Sequence, residues 1–318
     1  LYQTTDSQGE PAEVLYYFWV KTVPCPHCRQ TVDLFSTRIF ARNAYPDRRP
    51  EVQVSCPACG GVQAAHGDDA RVGCRDCGHE FAPDEGTAQG AKASCPHCRQ
   101  VFAIAPAVRA GEGPPAHRLY AKLMLTADGR KEYLRATEAD RAAYAKAGDL
   151  LREETATGRI RLPAGRLAEG YNTRQALGYG YRTWRDFFND RQLLALGWLH
   201  EAIAALPDAA TRDALLTLFS GVLEFNNLFA SYKGEGTGAV RHMFSHHILK
   251  PERTPIEANV WGTPRSSGSF SNLFRSRLLR ALEYRAAPHE LVLDGPRTKQ
   301  VASAAFAGVV DALVPDRD

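Results

Sequence analysis

Nothing in the 318-residue sequence is long and apolar enough to span a bilayer. The longest apolar run, VLYYFWV at Val14 to Val20, has strand length and falls far short of the roughly 18 residues a spanning helix needs. No membrane association is expected. Also missing is the basic, then apolar, then small-residue order of a secretory signal, and the first residue is Leu1 rather than methionine. The sequence reads as a fragment or a trimmed chain. A large excess of one charge is lacking as well: 39 Lys and Arg against 36 Asp and Glu leave +3, which neither demands nor excludes a polyanionic partner. The apolar share, 44%, is enough to build one large domain or a few smaller ones.

Cysteine is absent after residue 98. The eight that precede it all lie in C-x-x-C pairs: Cys25/Cys28, Cys56/Cys59, Cys74/Cys77 and Cys95/Cys98. Such a knuckle turns tightly enough to aim two thiolates at one cation, and two knuckles complete a tetrahedral four-thiolate site. Four knuckles imply two zinc ions. A disulfide framework would go with a secreted protein and less regular spacing, and the clustered spacing of an iron–sulfur site is missing. Reduced thiolates point to the cytoplasm.

The hexapeptide CPHCRQ occurs twice, at residues 25–30 and 95–100. Between the copies, CPACGGVQAAHGDDARVGCRDCG has the form of a zinc ribbon: knuckle, short hairpin, knuckle with glycine behind it. If that ribbon holds one ion, the two CPHCRQ copies share the other as the outer halves of a nested site. Sequential pairing of neighbouring knuckles also has acceptable loop lengths, so both arrangements stand, with nesting preferred. His27 and His97 read as solvent-facing, because four thiolates already fill the shell. A closed shell leaves no position for a reactive water, so the zinc is structural, contributing on the order of 10 kcal/mol to folding.

After the linker RAGEGPPAH, RLYAKLMLTADGRKEYLRAT alternates around Asp128-Gly129 as a hairpin. EADRAAYAKAGDLLREE is a helix with Thr137 as N-cap and Asp140 three residues on. Residues 155–182 read as loop. Within and just beyond it, YNTRQALGYGYRTW interleaves Arg174, Gln175, Tyr179, Tyr181, Arg182 and Trp184, a pattern that can cup a phosphate backbone or simply pack a loop onto its domain. Two apolar helices follow, the first capped by Asn189 with Gln192 and ended by Pro207.

From Lys233 to Arg285, nine Lys and Arg face four carboxylates, so the positive charge is localised there, as a nucleic-acid surface requires. GEGTG at Gly234 to Gly238 follows a helix rather than a buried strand, which favours a contact loop over a cofactor cradle. His242 and His246 have the i, i+4 spacing of zinc ligands on a helix, but no H-E-x-x-H glutamate accompanies them.

YFWVKTVPCPHC, GYNTRQALGYGY, FFNDRQLLALGWL, FASYKGEGTGAVRHMFSHHILKPERTPIEANVWGT and SSGSFSNLFRSRLLRALEY resemble the zinc-ribbon-containing, adenine-specific DNA methylases of bacteria and archaea. The resemblance runs from Tyr16 to about Glu290. It implies an α+β chain: a β-rich double zinc-ribbon module (1–110), a hairpin–helix connector (111–170) and a helical, basic, DNA-contacting domain (171–318). It also implies an insertion within or beside a Rossmann-like methyltransferase domain.

The family's glycine-rich S-adenosylmethionine turn and its [D/N]-P-P-[Y/F] segment are absent. The sole Pro-Pro, Pro114-Pro115, is followed by alanine, and the closing GVVDALVPDRD stands where the approach to the second motif is expected. The resemblance thus implies a non-catalytic segment of a methylase that uses S-adenosylmethionine elsewhere. Its implied partners are double-stranded DNA and other proteins of a modification or phage-defence system. The DNA contacts expected are Arg174, Lys233, Arg241 and Arg265, with Tyr179 and Trp184 as stacking residues. The alternatives are a stand-alone zinc-ribbon module that binds nucleic acid or protein, and a hydrolase built on His242 and His246.

Overall fold

The computed structural model describes residues 1–302 except 112, 237, 238, 246, 247 and 264. Two strands open the chain, β1 (Gln3–Thr5) and the 14-residue β2 (Pro11–Pro24). The cysteine-bearing segment follows as short pieces: β3 (Thr31–Asp33), β4 (Ile39–Arg42), β5 (Glu51–Ser55), β6 (Val62–His66), β7 (Val72–Gly73), β8 (Glu80–Phe81), β9 (Ala88–Gln89), β10 (Lys92–Ser94) and β11 (Val101–Ala103). A short helix α1 (Ile104–Arg109) leads into the hairpin of β12 (Ala116–Leu125) and β13 (Lys131–Arg135). Helices α2 (Glu138–Ala156), α3 (Arg174–Gly178), α4 (Asp190–Ala204) and α5 (Ala209–Leu223) come next. The chain then returns to strands: β14 (Ser231–Tyr232), β15 (Val240–Arg241) and β16 (Ile256–Ala258).

All of this belongs to one compact unit, Leu1–Asn272; a second, Leu273–Asp318, is described by itself below. The organising element is β2. Along one edge it pairs antiparallel with β12, and it also pairs antiparallel with β1, β16 and β3 at successive positions. Strand β13 extends the sheet beyond β12. A strand covered on both faces must be apolar throughout, and Val14 to Val20 are all buried. Tyr16, Phe18 and Val20 join the core with Phe35, Tyr120 and Ile256. Phe18 meets Phe40 and Tyr232 edge-on, with ring centroids 4.9 and 5.3 Å apart.

This pairing draws on all three expected segments. The central sheet takes β1 and β2 from residues 1–110, β12 and β13 from residues 111–170 and β16 from the stretch after 170. The fold is mixed α+β with antiparallel pairing in its named strand ladders. Among the described residues, no helix is long and apolar enough to cross a membrane.

The helices start where their caps place them. The Thr137 side chain accepts from the Asp140 amide while the Asp140 carboxylate accepts from the Thr137 amide. Asp140 also takes a 2.9 Å bond from the buried Lys122 ammonium and one of 2.8 Å from Thr4. Burial alone would raise its carboxyl, but the Thr137 amide, Lys122 and the hydroxyls of Thr137 and Thr4 hold it below its ordinary value. Asn189 and Gln192 cap α4 in the same way, and Asp208 caps α5. Of the expected loop 155–182, residues 155 and 156 end α2, and the rest is irregular apart from the five-residue α3.

Arg191, in the first turn of α4, is fully buried and forms a two-pronged ion pair with the equally buried Glu257 of β16, at 2.6 and 2.9 Å. Glu257 also accepts from Asn189 Nδ2 (2.8 Å) and Trp19 Nε1 (3.0 Å). The guanidinium lies 4.0 Å from the ring centre of Tyr17. One carboxylate thus joins β2, β16 and α4.

The second unit begins in the short helix α6 (Phe270–Leu273), continues through a π-helical stretch, Phe274–Leu279, into α7 (Arg280–Ala286), and ends in a hairpin of β17 (His289–Asp294) and β18 (Arg297–Ala302).

Removing one partner of a buried ion pair leaves an uncompensated charge. Arg191→Met should therefore destabilise the chain by about 3–5 kcal/mol in urea unfolding, and Arg191→Met combined with Glu257→Met should recover most of that loss. Equal losses in the single and double variants would show that the pair does not act as a unit.

Candidate metal centres

The eight sulfurs gather into two groups, Cys25, Cys28, Cys95 and Cys98, and Cys56, Cys59, Cys74 and Cys77, each with all four sulfurs within 4.8 Å of one another. This is the nested arrangement. The two CPHCRQ copies face each other across one site, and the ribbon between them closes the other.

Contacts between the paired knuckles measure 3.7 Å (Cys25–Cys98), 3.6 Å (Cys28–Cys95), 3.8 Å (Cys56–Cys77) and 3.6 Å (Cys59–Cys74). Zinc–sulfur bonds of ~2.3 Å in a tetrahedron imply sulfur–sulfur edges of about 3.8 Å, whereas a disulfide needs ~2.05 Å. The spacing fits zinc. It also makes full ionisation costly without a cation. The Gln30 amide favours the Cys28 thiolate, yet burial and the sulfurs of Cys95, Cys98 and Cys25 push that thiol up to about 12. Burial pushes Cys95 up, but the amides of Cys98 and His97 and the sulfurs of Cys28 and Cys25 outweigh it and bring it to about 6.

All four knuckles repeat one backbone design. The first cysteine's carbonyl accepts from the residue after the second cysteine: Arg29 (2.8 Å), Gly60 (3.0 Å), Gly78 (2.8 Å) and Arg99 (2.9 Å). The first cysteine's amide donates to the next residue's carbonyl: Gln30, Gly61, His79 and Gln100. The residue after the second cysteine is left-handed in every copy, with φ of 62° at Arg29, 74° at Gly60, 73° at Gly78 and 64° at Arg99. Arg29 and Arg99 are the only non-glycine residues among those described with positive φ. His27 and His97 are exposed, and no metal-ligating group of the described residues includes a histidine.

The six residues expected at DNA are spread over the structure. Lys233 and Arg241 are exposed at the ends of one short ribbon whose Val240 is buried: β14 pairs with β15, Ser231 lies opposite Arg241, and the Lys233 amide donates to Ala239 O at 2.7 Å. Arg174 is exposed and stacks on Tyr171, 4.8 Å from its ring centre. Arg265 is exposed and donates to the Gly129 carbonyl at the hairpin turn. Trp184 is partly exposed and meets Phe187 edge-on at 5.5 Å. It borders an apolar cleft of about 580 Å³ that is also lined by Phe187, Leu196, Phe219, Leu223 and Phe244.

Tyr179 turns inward. With the buried Tyr181 and Phe229 it boxes the Lys21 ammonium at 5.9, 5.3 and 5.7 Å. Lys21 is buried without a hydrogen-bond partner among the described residues. Burial, reinforced by Arg253 and partly offset by Glu252, pushes its ammonium down to about 7.

Gly234 and Glu235, which open GEGTG, pack against residues 42–44, while Thr237 and Gly238 lie outside the described residues. A Cβ at Gly234 would lie 2.7 Å from the Arg42 carbonyl, and Glu235 bridges to Asn43. His242 Nδ1 lies 3.8 Å from Glu224, while His246 and GVVDALVPDRD fall outside the described residues. Sequence reading missed Lys21, Arg191 and Glu257. An isolated charge in an apolar run, such as Lys21 after VLYYFWV, is the signal that was there to find.

Comparison of the chain with known protein families, with characterised proteins and with solved structures finds no match.

The purified chain should carry two zinc ions by elemental analysis, and Cys98→Ser should lower this to about one. In that variant, hydrogen exchange should accelerate at 25–30 as well as 95–100, with 56–78 still protected; loss of protection at 74–77 instead would contradict the nested pairing. Between about pH 7 and 10.5, unfolded Lys21 holds a proton that the folded chain has released, so this group makes stability rise with pH across that window. The stability advantage of Lys21→Met over the parent, read from urea midpoints of the zinc-loaded proteins, should shrink from pH 7 to pH 9. A constant gap would show that Lys21 keeps its proton in the fold.

Proposed function

We propose that the chain is the zinc-stabilised, non-catalytic part of an S-adenosylmethionine-dependent, adenine-specific DNA methylase, set within or beside its Rossmann-like domain. Its work is to hold shape and to contact the phosphate backbone of double-stranded DNA. The observation that carries the reading is the pair of closed four-thiolate groups: every cysteine is used once, and neither shell leaves room for a reactive water. Zinc bound there would fix the knuckles and supply no reaction step.

The extended resemblance of the later motifs supports the methylase assignment. The exposed Lys233 and Arg241 support contact with a polyanion, because neither side chain is held in an ion pair among the described residues. The reading also requires that the parent gene encode a glycine-rich strand-to-helix turn before Leu1 and a [D/N]-P-P-[Y/F] segment after Asp318.

A second reading, a platform for a partner protein, is favoured by one observation, the 580 Å³ apolar cleft with Trp184 and Phe244 at its exposed border.

Fluorescence anisotropy of the zinc-loaded chain with a short DNA duplex separates the two. The DNA reading expects affinity that falls steeply with salt and weakens about 10-fold in Lys233→Ala/Arg241→Ala, with the salt slope reduced by about two. No binding at low salt would remove DNA contact from the proposal and leave the partner-protein reading.

A further inference from the structure

The two zinc-binding groups repeat one backbone design on segments of opposite charge. Around the inner group, residues 51–85 hold seven carboxylates against two arginines, Arg71 and Arg75. The segments that carry the outer group, residues 20–32 and 86–111, hold no carboxylate, and Asp33, next in the chain, is paired with Arg118. Their exposed cations are Arg29, Lys92, Arg99 and Arg109, and none of these four side chains makes an ion pair or hydrogen bond among the described residues.

The knuckle geometry sharpens the contrast. The left-handed position is glycine in both inner knuckles, where it fits without a steric penalty. In both outer knuckles the same position is arginine, whose Cβ makes that backbone conformation unfavourable. The same strained substitution at two sites facing each other across one metal group marks an outward cation that does something the fold does not need.

Four thiolates around a zinc dication leave a negative shell, which two arginines can offset. Lys92, on the hairpin that carries the second outer knuckle, and Arg109, at the end of α1 directly after it, then leave this side positive.

We infer that the outer knuckle pair, centred on Arg29 and Arg99, is a docking surface for the phosphate backbone of nucleic acid, in which the acidic inner ribbon takes no part. This rests on the reading of the chain as DNA-contacting, but it places the principal contact on the zinc knuckles rather than on the Lys233–Arg241 ribbon. Recognition is of charge and spacing, with no base readout.

The test uses glycine, which suits the backbone better than the residue it replaces. Arg29→Gly/Arg99→Gly should keep two zinc ions and at least the parent's thermal stability. Its affinity for a fluorescein-labelled duplex should nevertheless fall ~10-fold or more, with the salt slope lowered by about two, while Arg29→Lys/Arg99→Lys stays near the parent. If the glycine variant binds DNA as tightly as the parent, the inference fails and the DNA reading stands on the other ribbon. If its zinc content falls together with its affinity, the arginines serve the thiolate shell and the inference is overturned. If the parent binds no duplex at low salt, the inference and the DNA reading fall together.

Discussion

A single four-thiolate shell pins the neck of a long excursion between two neighbouring strands. Cys25 follows directly on Pro24, the last residue of β2, and Cys98 is separated from β12 only by β11, α1 and a short linker. Since β2 and β12 are adjacent in the central sheet, a cation held by Cys25, Cys28, Cys95 and Cys98 closes both ends of everything between them. The segment inside the neck has small strands and little core of its own, with Val52, Val54, Val72 and Phe81 gathered around Cys56 and Cys74. Zinc bound in both groups would supply much of what holds such a segment in shape. The repeated hexapeptide is thus the two sides of one closure, and the backbone pattern that repeats in all four knuckles is what makes the closure symmetric.

Below that neck, β2 binds the chain's distant parts together through buried charge as well as apolar packing. Glu257 arrives on a three-residue strand and meets Arg191 from the first turn of α4 and Trp19 from β2. Asn189 caps the helix with its oxygen and anchors the same carboxylate with its nitrogen. On the other side, Asp140 caps α2 and neutralises Lys122 of β12. Both pairs link a helix start to a strand, so the caps that begin the helices also fix where those helices dock. A buried pair of this kind need not add net stability over an apolar pair, but it penalises every arrangement that separates its members.

Local signals in the sequence were reliable where one residue type does one physical job. The four knuckles, the hairpin at Asp128-Gly129 and the boxes at Thr137/Asp140 and Asn189/Gln192 are set by short-range chemistry, and each stands where the spacing puts it. The arrangement set by long-range pairing was not legible. Ile256–Ala258 is too short for strand periodicity and follows a stretch that reads as loop; it is a strand because β2 offers a free edge and Arg191 a charge. Tyr179 reads as a surface aromatic among cations, yet it faces inward, because a buried lysine on β2 needs electron-rich rings around it. The left-handed arginines become visible only when all four knuckles are compared at one backbone position.

The proposed DNA surface rests on the contrast between an outer knuckle pair whose segments lack carboxylates and an acidic inner ribbon. The most direct measurement is hydrogen exchange of the zinc-loaded chain with and without a DNA duplex at low salt. Slowed exchange at 25–30 and 95–100, with 56–78 unchanged, is the result expected. Slowed exchange on the inner ribbon, or none at the outer knuckles, would contradict it.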